Sequence, residues 1–385
     1  MPGVAPKLRG ADGAVSNSPG SEAVTASLSY HEAKFNLSST AWTISTQSRH
    51  FKKEPAGLSG NVLRGVLDLA GDSRTALPFI YDRIAGKLFL DLNRNQDLTD
   101  DAGGVFKDSS GPDAGMGNFE NVPLTFNASE GECRMLADLR FYDLQPRTYC
   151  VVAIRSYWQG KVTLYGREWE VGVVPNVPRA GLHSADRLLL RSWQERTNAF
   201  SIGNLAETVP LEKGVFAGGH AYQLTWSHES ATNGALRFME QSPALGDLRL
   251  DGKFLQRVVL CDGPCPVILD PVAAVAKVPI GAYHVAGIRL AQGDLAALYN
   301  PSGRPHLISI TVDGKSPAVL TAGGPLKNTV VAERDGDDAS LSLSYQLIGA
   351  GGEAWQMLRR NSSNPPEFTI YQNDRKIASG KFEFG

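Results

Sequence analysis

From Lys87 the chain reads Lys87-Leu-Phe-Leu-Asp91-Leu-Asn93-Arg-Asn95-Gln-Asp97-Leu98-Thr99-Asp100-Asp101. Oxygen-bearing side chains recur at every second position from Asp91 to Thr99, with the apolar Leu98 at the eighth position. That alternation suits a hard cation such as calcium, which takes about six to eight oxygens at roughly 2.3–2.6 Å from a loop coiled around it. Asp91, Asn93 and Asn95 would give side-chain oxygens and Asp97 its backbone carbonyl. Thr99 would bind directly or through water, Asp100 or Asp101 would close the shell, and Leu98 would anchor the loop to a core. The ion's role would be structural, because three packed carboxylates repel until a cation neutralises them. The same residues also suit an ion-free turn, since Asn and Asp cap turns unaided.

This stretch resembles the calcium loops of EF-hand and dockerin modules, with three departures. Gln96 stands where a glycine makes the sharp turn, and Ala102 stands where a bidentate glutamate closes the site. Lys87–Leu90 reads as a strand, not a helix. The resemblance therefore implies a strand-borne loop like those of secreted bacterial β-domains, with an affinity of roughly 10⁻⁴–10⁻³ M.

Other reactive residue types carry less. Gly71-Asp72-Ser73-Arg74 and His183-Ser-Ala-Asp186 hold hydrolase residues, but no G-x-S-x-G elbow occurs, and both segments read as a turn and a helix cap. Glu168 and Glu170 flank Trp169 on one strand and share a face. A glycosidase pair must instead flank its substrate from two sides, so a solvated face with Trp169 in the core is the better reading. His220 and His228 bracket one strand, and His284 and His306 stand isolated. No phosphate-loop motif occurs. Tyr157, Trp158, Tyr165, Trp169, Trp193, Trp226 and Trp355 could stack sugar rings if exposed, or fill cores if not. Trp158, beside the Gln159-Gly160 turn, is the most open to the first reading.

The elements that must hold the loop are strands. Short β-branched and aromatic runs alternate with Gly/Pro/Asp/Asn turns: Val62 to Leu69, Lys87 to Leu90, Val151 to Ile154, Lys161 to Tyr165, Glu168 to Val174, Ala221 to Trp226, Arg257 to Leu260, Leu307 to Val312, Ser340 to Leu347 and Glu367 to Tyr371. Leu341, Leu343 and Tyr345 alternate with serines, the pattern of a strand with one wet face. Asp251-Gly252, Asp313-Gly314 and Asp335-Gly336 read as primed hairpin turns with positive φ. The best helix signal is Ser184 to Arg196, although a strand through Leu188 to Leu190 fits too. The fold class is therefore mainly β, with tandem antiparallel sandwich or barrel domains and few short helices.

At 385 residues the chain is long for one core. We divide it into a disordered segment 1–24, an N-terminal β domain 25–238 with the calcium-type loop, and a C-terminal β-sandwich 245–385. Val278-Pro279-Ile-Gly281-Ala-Tyr283-His-Val285 resembles the Pro-x-Gly-x-Tyr strand entry of prealbumin-like and carboxypeptidase-regulatory-like sandwiches, and an immunoglobulin-like build also suits that part. Net charge is −2 with scattered cations, which argues against a nucleic-acid partner. No segment reaches the ~18 apolar residues of a membrane span.

Four cysteines, Cys133, Cys150, Cys261 and Cys265, permit two disulfides, with a local bridge across Cys261-Asp-Gly-Pro-Cys265; four free thiols fit equally. No signal-peptide pattern opens the chain. Two readings follow: a cytoplasmic protein, or the mature form of an exported one, to which we lean. The expected function is a non-enzymatic, extracytoplasmic binding or structural protein, acting on carbohydrate or another cell-surface protein and rigidified by calcium. The alternative is a secreted hydrolase of polysaccharide or peptide whose residues converge only in three dimensions.

Overall fold

Every run rich in branched and aromatic residues becomes a strand where the sequence puts it. The computed structural model describes residues 23–44, 51–68, 76–110, 116–128, 131–144, 147–175, 186–193, 207–211, 214–293, 295–301, 308–334, 341–358 and 366–382. Among these are 29 strands and no α-helix. The segment 1–24 lies outside the described residues except for Ala23 and Val24.

Two four-stranded sheets carry the loop and its surroundings. One orders β3 (Val62–Asp68), β4 (Ala76–Asp82), β5 (Lys87–Leu90) and β6 (Val105–Lys107) as a simple meander. The other orders β2 (Ser38–Thr43), β9 (Arg147–Ile154), β8 (Gly131–Leu144) and β7 (Met116–Ala128).

The largest sheet runs through much of the chain. Its first half contains β13 (Val209–Pro210), β12 (Arg187–Ser192), β11 (Arg167–Val174), β10 (Ser156–Leu164), β1 (Val24–Glu32), β16 (Asn233–Gln241), β15 (His220–His228) and β14 (Val215–Ala217), in that spatial order. The path continues through β19 (Val267–Leu269), β18 (Leu255–Cys261), β21 (Gly281–Gln292), β22 (Leu295–Tyr299), β27 (Ala354–Leu358), β26 (Leu341–Ile348) and β25 (Lys327–Arg334), with β23 (Ser309–Val312) also paired to β21. A three-stranded sheet of β20 (Val275–Pro279), β17 (Leu245–Asp251) and β24 (Ala318–Thr321) faces the later part. The hairpin β28 (Glu367–Gln372) with β29 (Arg375–Lys381) ends the described chain. The join at β14–β19 is parallel, pairing Phe216 with Val267 and Ala217 with Ile268.

Two cores result. The first gathers Phe79, Phe119, Phe141, Trp158, Trp169 and Leu236 with others, mostly from before residue 240, but takes in Val259, Cys261 and Ile268. The second gathers Leu248, Val258, Val285, Tyr299 and Trp355 with others from later in the chain, but takes in Phe216 and Ala221.

Within the span 184–196, Arg187–Ser192 form strand β12 in place of a helix, as the alternative through Leu188 to Leu190 had it, and 184–185 and 194–196 lie outside the described residues. Leu188 and Leu190 point into the first core while Leu189 joins Ala33, Leu37, Tyr157 and Val174 on the opposite face. Alternating side chains with both faces covered produce an unbroken apolar run, which periodicity alone cannot tell from a helix. The Ser/Leu alternation in β26 is as expected: Ser342, Ser344 and Gln346 are exposed while Leu343 and Tyr345 are half-buried.

The turn glycines divide. Gly314 has φ 73°, as its turn requires. Gly252 does not take positive φ; it is needed because any Cβ there would run into the Ala322 carbonyl. The positive φ in that turn belongs to Phe254, at 65°. Asp335-Gly336 lies outside the described residues. Among the described residues no helix is long and apolar enough to cross a membrane.

Candidate metal centre

Strand β5 delivers the loop. Leu88 and Leu90 are buried in the first core, and the ladder continues one residue further, where the Asp91 N–H donates to the Pro78 carbonyl at 2.9 Å. Asp91 is thereby held with 0% of its surface exposed. A carboxylate so buried must be satisfied, and both its oxygens are. Oδ1 accepts the Asn95 N–H at 3.1 Å and Oδ2 the Gln96 N–H at 3.0 Å.

The backbone then coils by repeated Asx turns. Asn93 Oδ1 accepts the Asn95 N–H at 3.0 Å, Asn95 Oδ1 the Asp97 N–H at 2.6 Å, and Asp97 Oδ1 the Thr99 N–H at 2.9 Å. Two residues take left-handed φ to make the coil, Arg94 at 61° and Gln96 at 70°. The sharp turn at position six is thus made by a glutamine, at a conformational cost that glycine would avoid.

The loop closes on itself. Asp100 accepts Asn93 Nδ2 at 3.1 Å and Asn95 Nδ2 at 2.8 Å, and Asp101 Oδ1 accepts the Asn93 N–H at 3.0 Å. Asp91, Asn93, Asn95, Asp100 and Asp101 therefore form one connected network. Asp97 and Thr99 join it through their backbone N–H groups, while their side chains turn elsewhere: the Thr99 hydroxyl donates to Asp97 Oδ1 at 2.6 Å and Asp97 Oδ2 faces Lys53 Nζ at 3.7 Å. Leu98 is buried, and its N–H donates to the Lys53 carbonyl at 3.1 Å. Lys52 returns two bonds, from its N–H to the Gln96 carbonyl at 3.0 Å and from Nζ to the Asn95 carbonyl at 3.1 Å.

Charge is poorly balanced inside the coil. Burial, with the charges of Asp91 and Asp100, pushes the Asp101 carboxyl above its ordinary range against the pull of the Asn93 and Leu92 amides. Its Oδ2 is a buried oxygen without a hydrogen-bond partner. Arg94 feels the Asp91 charge but spends its Nη atoms on the Leu92 and Thr125 carbonyls. Among the described residues, no group of three or more His, Cys, Asp or Glu is placed to hold a metal ion. A shell made of one buried carboxylate, carboxamide oxygens and backbone carbonyls would not form such a group. Both Asp91 carboxylate oxygens, Asn93 Oδ1 and Asn95 Oδ1 each keep a second lone pair beyond the amide bond they accept.

Several other sequence expectations are corrected. Glu170 is not on a solvated face: it is fully buried on Arg191, with Gln159 donating to it, because Tyr157, Leu189 and Val174 cover that side of the sheet. Glu168 is exposed and pairs with Lys161, and Trp169 fills the core. Trp158 is 0% exposed, and Tyr165, at 58%, is the one exposed ring among the aromatics considered for sugar stacking. It lies parallel to His220 at a 3.2 Å centroid separation, and His220 Nδ1 sits 3.0 Å from Glu240.

His284 is not isolated either. Its Nδ1 lies 2.5 Å from Asp262 Oδ2, and Cys261 is its directly paired neighbour across β18–β21. Cys150, Cys261 and Cys265 are buried and form no disulfide with one another, and the Cys133 side chain lies outside the described residues. Cys261 packs in the first core and Cys265 in the second, and the local bridge is not formed. Ser73, His183 and His306 lie outside the described residues. Signals for the pairings of His284 and Glu170 are absent from the sequence, because each partner is distant or placed by a turn. Comparison of the chain with protein-family models, with curated proteins and with solved structures finds no match.

Proposed function

We propose that the Asp91–Asp101 loop is a structural calcium site, and that the protein is a non-enzymatic, extracytoplasmic binding or structural protein. One observation carries the reading. Asp91 is wholly buried in a coil that also holds Asp100 and Asp101, and burial together with the charges of Asp91 and Asp100 raises the Asp101 pKa above its ordinary value. A divalent cation would relieve that repulsion and use the unpartnered Asp101 oxygen. The ion would clamp β5 to the 51–54 segment, through Lys52 and Lys53, and to β7 through Arg94. A weak site of this kind works where calcium is millimolar, which is why the reading is tied to an exported protein.

The partner is another cell-surface protein or a carbohydrate. The carbohydrate version rests on the exposed Tyr165 ring alone. The test is calorimetric titration of metal-free protein with calcium, alongside magnesium. One calcium per chain, lost in Asp91→Asn, is expected. Absence of calcium binding at millimolar concentration would remove the site and the export argument with it.

A secreted hydrolase is the second reading, favoured by the Asp262–His284 pair beside Cys261. A thiol served by a histidine base alkylates near neutral pH. Fast, pH-dependent labelling of Cys261 that disappears in His284→Ala would favour this enzyme, and labelling only above about pH 8.5 would return the choice to the binder.

A further inference from the structure

Away from the calcium-type loop, β18 and β21 place two arginines, Arg257 and Arg289, directly opposite each other. Like charges at opposed positions are destabilising, and their Cβ atoms stand only about 4.5–5.5 Å apart. Acceptors from elsewhere in the chain make the arrangement tolerable. Arg257 Nη1 donates to Asp270 Oδ2 at 2.9 Å and Nη2 to the Glu207 carbonyl at 3.0 Å, while Arg289 Nη1 donates to Glu207 Oε1 at 3.1 Å. Arg167, from β11, adds a third cation, at 3.0 Å from Asp270 Oδ1.

Among the described residues the acids bonded to this group do not balance it: Arg167, Arg257 and Arg289 share Asp270 and Glu207. The hydrogen-bond inventory is short in the same direction. The Nε–H groups of both Arg257 and Arg289 are buried with no acceptor, as is Nη2 of Arg191, whose charge also reaches Arg257. Arg257 is 97% buried by its 3% exposure, so bulk water does not satisfy it. Every orphan named here is a donor. Arg167 and Arg289 keep about a third of their side-chain surface open, at 30% and 32%, which leaves a way in from solvent.

We propose that the facing Arg257 and Arg289 form a binding site for one small oxyanion, of the phosphate, sulfate or carboxylate kind, which accepts from the two free Nε–H groups. The site is built from both cores, since Arg167 and Glu207 come from the first half of the chain and Arg257, Asp270 and Arg289 from the second. An oxyanion supplies several acceptor lone pairs and the missing negative charge together, which a water molecule does not.

Equilibrium dialysis of the full chain against labelled phosphate, at fixed ionic strength in chloride, tests this. One saturable phosphate per chain is expected, displaced by sulfate. Displacement by acetate would show that carboxylates share the site, and failure of acetate would restrict it to tetrahedral anions. Arg289→Lys keeps the positive charge beside Glu207 but removes the Nε donor, and should weaken binding about tenfold or more. Arg375→Lys, on the β28–β29 hairpin, should leave it unchanged. Absence of saturable binding to the wild-type chain would mean that water fills the gap and would overturn the proposal. So would equal affinity in wild type and a folded Arg289→Lys. If that variant does not fold, the wild-type stoichiometry and the sulfate competition decide by themselves.

Discussion

Replacing Asp270 with asparagine should be among the most damaging single-atom changes this chain can take. The Asp270 side chain is 0% exposed and receives Arg257 at 2.9 Å, Arg167 at 3.0 Å and the Ser192 N–H at 3.4 Å. Arg257, with 4% of its side chain exposed, has no solvent to fall back on once the charge is gone. Removing one partner of a buried pair leaves the other charge uncompensated and costs about 3–5 kcal/mol. Asparagine keeps one acceptor oxygen and Arg257 keeps the Glu207 carbonyl, so the cost should fall near the lower end, about 3 kcal/mol. Urea denaturation followed by tryptophan fluorescence reads this directly, because Trp158 and Trp169 are fully buried reporters. The reference is Asp247→Asn, whose lysine partner Lys277 is equally close at 2.8 Å but exposed, and which should cost under about 1 kcal/mol. A double variant that replaces Arg257 and Asp270 with methionine and leucine should recover much of the loss, since apolar pairs of similar volume often substitute for buried ion pairs. If Asp270→Asn and Asp247→Asn cost the same, the network is solvated and the reasoning from burial fails.

Three further outcomes follow from the loop and the thiols. Asp101→Asn should raise the melting temperature of calcium-free protein by roughly 1–2 °C while weakening its response to calcium. Because the folded-state pKa of Asp101 is raised, its favourable contribution is full below the unfolded carboxyl value and is lost as pH rises through the higher folded one. Metal-free wild type should therefore lose stability relative to Asp101→Asn across that window, and parallel pH–stability curves would count against the repulsion. Leu98→Ala, at a site 4% exposed, should destabilise by about 2–5 kcal/mol and lower calcium affinity in titration, whereas unchanged affinity would mean that the ion does not need the anchor. Iodoacetamide at pH 8 should spare Cys150 and Cys265 in the native protein, because burial raises both thiols, Cys265 up to about 11. Mass spectrometry should find both labelled after denaturation without reductant.

Strands were legible wherever chemistry is local. Lys87–Leu90 appears as β5 with the same limits, and the Ser/Leu alternation of β26 carries its wet face in its spelling. The loop was legible too, because an Asx turn needs only a neighbour's N–H, and the spacing from Asp91 to Thr99 repeats that unit. Long-range placement was not. Leu188–Leu190 gave no warning that the first core lay on one side of the strand and a small separate cluster on the other. Glu170 reads as a surface residue until Arg191 arrives from the next strand. The Asp262–His284 pair depends on a turn that swings Asp262 to φ 72°, and the facing arginines depend on a register between β18 and β21 that shifts at two places, one of them between Leu255 and Arg257. Nothing in residue type announces either.

The exchange of strands between the cores constrains how the chain is made. Synthesis runs from the N-terminus, yet Val259, Cys261 and Ile268 belong to the core assembled mainly from earlier residues. Until residue 269 has cleared the ribosome that interior lacks three of its side chains, and β14 waits with a bare edge for its parallel mate β19. The nascent first half is therefore a sticky, unfinished object during translation, and its completion is a late event that the second half brings about.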